Sequence, residues 1–281
     1  LTGAIDMYSQ ILNQDPDDSL TKQLYADAAI KLNDDAQAVS LLTSIKESQP
    51  GYQAAQRALL ELYIKHNKVN EALATLKALE KFFALDQELL LAKAQIQLSA
   101  NDISAAQKTL KILYGIVYDN PLKLGTVANF QINAADYEAA QKTLNRIEQI
   151  GSSSKYLSAR LALAQNDLEQ AEELILGENT EEPAWLELMI HLRAQQSNTA
   201  EAVRLSQQLF KQTNEREHLQ LATQLLVSSN EITSAIDMLS TWITTTPTDN
   251  WARAQLSSLA DKVDNQALAI SALEQSPDLY Q

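Results

Sequence analysis

The sequence predicts an all-α fold built from stacked helical hairpins, and three observations predict it. An alanine returns at nearly constant spacing along the 281 residues, an asparagine usually precedes it by five, and large apolar residues usually follow it by four and seven. The first four steps between alanines are 34 residues long, and the later steps are 31, 31, 33 and 34. Such a period is typical of proteins in which each repeat is a helix pair packed on the next pair.

The recurring alanine marks the second helix of each hairpin. Where two helices cross closely only a methyl side chain fits, and a larger one would cost about 1–3 kcal/mol by overpacking. The high helix propensity of alanine is an alternative reason for its presence, but it does not explain the constant phase. The nine positions are Ala4, Ala38, Ala72, Ala106, Ala140, Ala171, Ala202, Ala235 and Ala269.

The turn inside each hairpin is marked by asparagine or aspartate, which tolerate the left-handed conformation that ends a helix. Apolar residues at helical spacing precede the turn, as over 59–64, and predict the first helix of the hairpin. Proline or glycine closes several loops between hairpins. The predicted turn residues are Asn33, Asn67, Asn101, Asn166, Asn230 and Asp264.

This pattern resembles the tetratricopeptide repeat. The alanines match that repeat in all nine units, Pro16, Pro50 and Pro247 match its final proline, and Leu59 and Tyr63 match two first-helix positions. The tryptophan and glycine of the repeat are mostly absent. The resemblance implies a right-handed superhelical solenoid (an α-α superhelix) of nine units, the first represented only by its second helix. It also implies a role in binding proteins.

A change of period and charge divides the chain near residue 150. The two 31-residue steps each follow a second helix that ends at Gly151 or Gly177. Residues 1–150 carry a net charge of −4 and residues 151–281 one of −10. We therefore predict repeats over 1–150 and over 151–281 that form one solenoid with a bend near 150–183. Two separate domains are the alternative.

Composition disfavours several classes of function. A net charge of −14 disfavours nucleic acid as a partner, because phosphate backbones are bound by lysine and arginine. The chain lacks cysteine, a phosphate-binding glycine loop and a nucleophile elbow, and His66, His191 and His218 fall in different repeats. No apolar run is long enough to span a membrane. We therefore expect no catalysis, no cofactor, no metal site and no membrane span in this segment.

In the tetratricopeptide architecture the first helices line a concave groove, where we expect a protein or peptide to bind. Asp27 and Glu61 stand where the family's clamp for a C-terminal carboxylate has asparagine, so we do not predict that clamp. A solvated face of mixed charge is the alternative. The predicted groove residues are Gln23, Asp27, Lys31, Arg57, Glu61, Lys65, Gln95, Asn129, Asn133, Tyr156, Arg160 and His191.

A second candidate is a run of acidic residues with no base between Arg160 and Arg193. Such a run could attract a basic partner or weakly held divalent cations, although charge runs are usually solvated surface. The run comprises Asp167, Glu169, Glu172, Glu173, Glu178, Glu181, Glu182 and Glu187.

The predicted function is a non-catalytic interaction scaffold that holds a peptide or helix in the groove. Residues 242–253, WITTTPTDNWAR, resemble a junction in bacterial tetratricopeptide proteins of exopolysaccharide and exosortase (PEP-CTERM) systems. That resemblance implies a periplasmic protein or an outer-membrane-anchored lipoprotein rather than a cytoplasmic one. The alternatives are a docking module of a larger enzyme and a cytosolic chaperone or assembly adaptor. The sequence opens inside a second helix, so we expect a longer protein, and it predicts no oligomeric state.

Overall fold

The computed structural model describes residues 2–83, 86–178 and 181–274, in which every regular element is an α-helix. The chain divides into two compact units, residues 1–154 and 155–281. The first unit contains α1 Thr2–Gln14, α2 Ser19–Lys31, α3 Asp35–Thr43, α4 Tyr52–Lys65, α5 Val69–Glu80, α6 Gln87–Ser99, α7 Ile103–Ile116, α8 Pro121–Asn133 and α9 Tyr137–Gln149. The second contains α10 Lys155–Ala164, α11 Leu168–Ile175, α12 Pro183–Gln195, α13 Thr199–Thr213, α14 Arg216–Ser228, α15 Ile232–Thr245, α16 Asn250–Lys262 and α17 Gln266–Glu274.

Consecutive helices pair as the sequence predicts. The pairs α2–α3, α4–α5, α6–α7 and α8–α9 form four hairpins in the first unit, and α10–α11 through α16–α17 form four in the second. Helix α1 is a second helix that packs on α2. The all-α hairpin fold is therefore confirmed. The predicted bend concerns how the two units are placed and stays a prediction.

The recurring alanines occupy the helix crossings. From Ala38 to Ala235 each of them is at most 1% exposed, and Ala269 in the last hairpin is 9% exposed. Ala4, in α1, is half-buried. The burial confirms the packing role that the constant phase of the alanines predicts.

The turn inside every hairpin is left-handed. All six predicted turn residues have positive φ, between 52° and 64°. The remaining two hairpins have the same conformation at Ala135 (φ 51°) and Ser197 (φ 61°), which the sequence does not mark as turn residues. The hairpin geometry therefore imposes this conformation whichever residue occupies the position.

An acidic or amide side chain directly after the turn starts most second helices. Asp34 accepts a hydrogen bond from the backbone N–H of Gln37 at 3.0 Å, and Asp102 accepts one from Ala105 at 3.1 Å. Such N-caps satisfy backbone donors that the first helical turn leaves free. The Asn-Asp pairs at 33–34, 101–102 and 166–167 are a sequence signal for these caps.

The apolar cores are shared between neighbouring hairpins. Leu60, Leu76 and Leu89 belong to one cluster that joins α4, α5 and α6 of the first unit. Leu219 and Leu239 belong to a cluster that joins α13 through α17 of the second unit. In the described ranges, no helix is long and apolar enough to cross a bilayer.

Candidate partner-binding surface

The twelve predicted groove residues fall into three rows, defined by their distance before the left-handed turn. Since the same position recurs on successive first helices, each row follows one face of the hairpins within a unit. The row ten residues before the turn contains Gln23, Arg57 and Tyr156. The row six before contains Asp27, Glu61, Gln95, Asn129, Arg160 and His191, and the row two before contains Lys31, Lys65 and Asn133.

The middle row of the first unit is defined as Asp27, Glu61, Gln95 and Asn129. The first three side chains are exposed, and Asn129 is half-buried. The Asn129 Oδ1 atom is buried and accepts no hydrogen bond. A buried acceptor without a donor costs about 1–3 kcal/mol. The Asn129 amide oxygen therefore lacks a hydrogen-bond partner within the described part of the chain.

In the first unit, the row ten residues before the turn packs into the protein instead. A Cβ atom on Gly51 would lie 1.9 Å from Gln23 Nε2, so Gln23 covers the loop that leads to α4. Arg57 forms an ion pair of 3.1 Å with Asp86 and lies 4.5 Å from the ring centroid of Phe83. Burial raises the pKa of Asp86, but the backbone N–H of Leu89 and the Arg57 guanidinium lower it below 3.8 overall. Gln23 and Arg57 therefore hold successive hairpins together.

In the row nearest the turn, Lys31 and Lys65 are both exposed, and Lys65 forms an ion pair. Lys65 Nζ donates to Asp35 Oδ2 at 2.6 Å, and His66 Nε2 lies 2.7 Å from the same oxygen. The hydrogen bond from Lys65 holds the pKa of Asp35 below 3.8, against the raising effect of burial and with help from His66. The first residue of α3 is thus tied to the end of α4, and Lys31 is the freer of the two lysines.

In the second unit the predicted residues come together around Tyr156. The ring of Tyr156 meets that of Trp185 edge-on, with centroids 5.4 Å apart. Burial raises the pKa of Tyr156, the nearby Glu187 charge raises it further, and Arg160 lowers it. Glu187 also lies 4.0 Å from His191 Nε2. Glu187 belongs to the acidic run, and it lies ten residues before its turn, as Tyr156 does.

The acidic run is partly neutralised within the second unit. Glu172 accepts from Arg193 NH1 at 2.8 Å, which lowers the pKa of Glu172. Glu178 pairs with Lys155, and Asp167 caps α11 by accepting from the Gln170 N–H. Within residues 2–83, 86–178 and 181–274, no three His, Cys, Asp or Glu residues come together as metal ligands. The run therefore has structural partners for several of its charges.

Known proteins share this fold. Residues 1–61 match a family model described as tetratricopeptide repeat. A tetratricopeptide repeat protein from Parabacteroides merdae aligns over 90% of this chain and 98% of its own, with 13% identity and a TM-score of 0.61. Yeast Tom70 aligns over 98% of this chain with 12% identity and a TM-score of 0.56, and the alignment covers 59% of Tom70. No curated protein matches the sequence. The chain is thus similar in fold to tetratricopeptide repeat solenoids.

Proposed function

We propose that this chain, with the tetratricopeptide repeat fold and a matching sequence over residues 1–61, is a non-catalytic scaffold that binds a linear peptide. The proposed binding site is the middle row of the first unit. The observation that carries it is the recurrence of polar side chains at four equivalent first-helix positions, three of them exposed and the fourth, Asn129, half-buried. The amides of Gln95 and Asn129 would hydrogen-bond to the backbone of a bound peptide.

The side chains of the middle row suit an extended backbone. Amide side chains such as Gln95 and Asn129 can both donate and accept, as a peptide group does. The row is acidic at Asp27 and Glu61 and neutral at Gln95 and Asn129, so its charge changes from α2 to α8. We therefore expect a peptide whose basic residues lie toward α2 and α4, with backbone contacts at α6 and α8.

The test is the double variant Gln95→Ala/Asn129→Ala. Peptides selected on the unmodified chain from a phage-displayed random library should bind this variant about tenfold more weakly, since each lost hydrogen bond is worth about 0.5–1.5 kcal/mol. Thermal stability should not fall, because Gln95 is exposed and Asn129 Oδ1 has no partner to lose. Titration calorimetry with the selected peptides measures the loss.

The matched control is Asn70→Ala/Gln149→Ala, which removes two exposed amides from the second helices α5 and α9. This control should bind the selected peptides as the unmodified chain does. Equal affinity for both double variants, or a library that yields no binding peptide, would contradict the proposal.

A setting in the bacterial cell envelope rests on the resemblance of residues 242–253 alone. In the structure, Trp242 Nε1 donates to Asp249 Oδ2 at 2.9 Å, and the 2% exposed Arg253 donates from Nε to Pro247 O and from NH1 to Ala272 O. These residues therefore hold the last two hairpins together, a role they would have in any compartment. Fractionation of the source cells, with detection of the chain by antibody, tests the envelope setting.

A further inference from the structure

A pocket of about 410 Å³ opens between the second helices α7 and α9 of the first unit. Its walls include Lys108, Lys111 and Tyr114 from α7 and Lys142 from α9. We name it the lysine pocket after these three lysines. It is separate from the middle row, whose residues lie on first helices and do not line it.

The lysine pocket presents three cations that form no ion pair with the described residues. All three lysines are exposed, and none forms an ion pair in the part of the chain that the structure describes. Lys142 Nζ lies 5.9 Å from the ring centroid of Tyr114, close enough for a weak cation–π contact. By contrast, the nearby Arg146 is already engaged by the Asp119 carboxylate and the Tyr118 carbonyl oxygen.

Two acidic residues also line the pocket, and they differ in availability. The Asp136 carboxylate accepts from the Ala139 N–H at 3.3 Å and so caps α9. Glu138 is exposed in the first turn of the same helix. Three ammonium groups against these two carboxylates leave a positive excess, although the chain as a whole has a net charge of −14.

The floor of the pocket is formed before any ligand arrives. Thr143 Oγ1 donates to Gln131 Oε1 at 2.7 Å, and these two side chains are 0% and 3% exposed. On the wall, Gln107 Nε2 donates to the carbonyl oxygen of Ala134 at 3.1 Å. Because these groups are already fixed, binding would order mainly the lysine side chains, which lowers its entropic cost.

We propose that the lysine pocket binds a short acidic segment of a partner protein. Carboxylates of the segment pair with Lys108, Lys111 and Lys142, and the Tyr114 ring contacts its apolar atoms. Lys108 and Tyr114 are six residues apart on α7, or about 9 Å, which matches a few residues of extended chain. A nucleic acid strand carries a charge about every 3.4 Å and would continue past the pocket along an acidic protein. The acidic peptide is therefore the better fit.

The test uses fluorescein-labelled hexaglutamate as the probe and fluorescence anisotropy on the full chain at low ionic strength. The unmodified chain should bind hexaglutamate, and added salt should weaken binding, because exposed charge pairs are screened. The variant Lys108→Gln/Lys142→Gln should bind about tenfold more weakly, through the loss of two ion pairs. Its thermal melting should be unchanged, since both side chains are exposed.

The matched control is Lys77→Gln/Lys211→Gln, which removes two exposed lysines from α5 and α13 with the same loss of charge. It should bind hexaglutamate as the unmodified chain does. Equal weakening by both double variants would overturn the proposal, as would an absence of hexaglutamate binding. Tighter binding of a labelled single-stranded DNA would assign the pocket to nucleic acid instead. Sedimentation showing a dimer that Lys108→Gln/Lys142→Gln dissociates would assign it to a second copy.

The two binding proposals can fail independently. Gln95→Ala/Asn129→Ala leaves every lysine of the pocket in place, and Lys108→Gln/Lys142→Gln leaves the middle row intact. If Lys108→Gln/Lys142→Gln loses hexaglutamate binding but still binds the library-selected peptides, the result supports the lysine pocket and does not test the middle row.

Discussion

Ala135 shows how far a single backbone position can depart from what its side chain favours. It adopts φ 51° at a hairpin turn where five other hairpins have asparagine and one has aspartate. The left-handed conformation costs an L-residue about 1–2 kcal/mol, and asparagine tolerates it better than alanine does. The fold therefore carries a local conformational cost at this residue.

Ala135→Asn should accordingly raise the free energy of unfolding by about 0.5–1 kcal/mol. Urea denaturation followed by circular dichroism measures the change. Ala100→Asn is the matched control, because Ala100 directly precedes a turn residue but has φ −78°. That control should be neutral or slightly destabilising. A gain of equal size at both positions would mean that the left-handed backbone is not the cause.

The repeat pattern does not specify which side chains contact one another. The period places Arg57 and Lys65 correctly on first helices, in the same rows as Gln23 and Lys31. It does not show that Arg57 reaches Asp86 and Phe83, or that Lys65 reaches Asp35. Phe83 and Asp86 lie in the loop between α5 and α6, and Asp35 lies at the start of α3 in the preceding hairpin. A side chain that the helical pattern predicts to face solvent can therefore contact a residue outside its own hairpin.

At the scale of elements, Asp35 joins two helices that the repeat pattern only places side by side. It begins α3, and its side chain is 12% exposed beneath Lys65 and His66 of the following hairpin. Because the folded state lowers the pKa of Asp35 below 3.8, the ionised carboxylate stabilises the fold. This contribution is present above pH 3.8 and is lost as the pH falls through the lower folded-state pKa.

Asp35→Asn should therefore destabilise the chain by about 1 kcal/mol at neutral pH, a typical value for a partly buried charged hydrogen bond. The difference from the unmodified chain should persist down to pH 3.8 and shrink below it. Urea melts at a series of pH values measure this. Glu61→Gln, at an exposed position of α4, should change stability little at any of them. A difference between Asp35→Asn and the unmodified chain that does not depend on pH would contradict this assignment.

At the scale of the whole molecule, the sequence predicts the fold, but it predicts only some of the proposed binding surfaces. The repeat period predicts the order of the helices, the buried alanines and most of the turns, because every hairpin packs on its neighbours in the same way. The three rows on the first helices follow from that register. The lysine pocket does not, because it depends on how far apart α7 and α9 lie, a distance that no single repeat encodes. Partner surfaces between hairpins are therefore harder to predict than the hairpins.

The division of the chain into two units leads to a prediction about independent folding. The described core clusters lie within residues 1–154 or within 155–281, and each unit contains four complete hairpins. In a repeat protein, stability is approximately the sum of hairpin and neighbour-interface terms. Fragments 1–154 and 155–281 should therefore each be helical and unfold cooperatively in urea.

A shorter fragment, 1–134, keeps α8 but removes α9, its partner in the hairpin. It should unfold at a clearly lower urea concentration than 1–154. If 1–154 or 155–281 is unfolded alone, its stability depends on the other unit and the division is not one of independent folding.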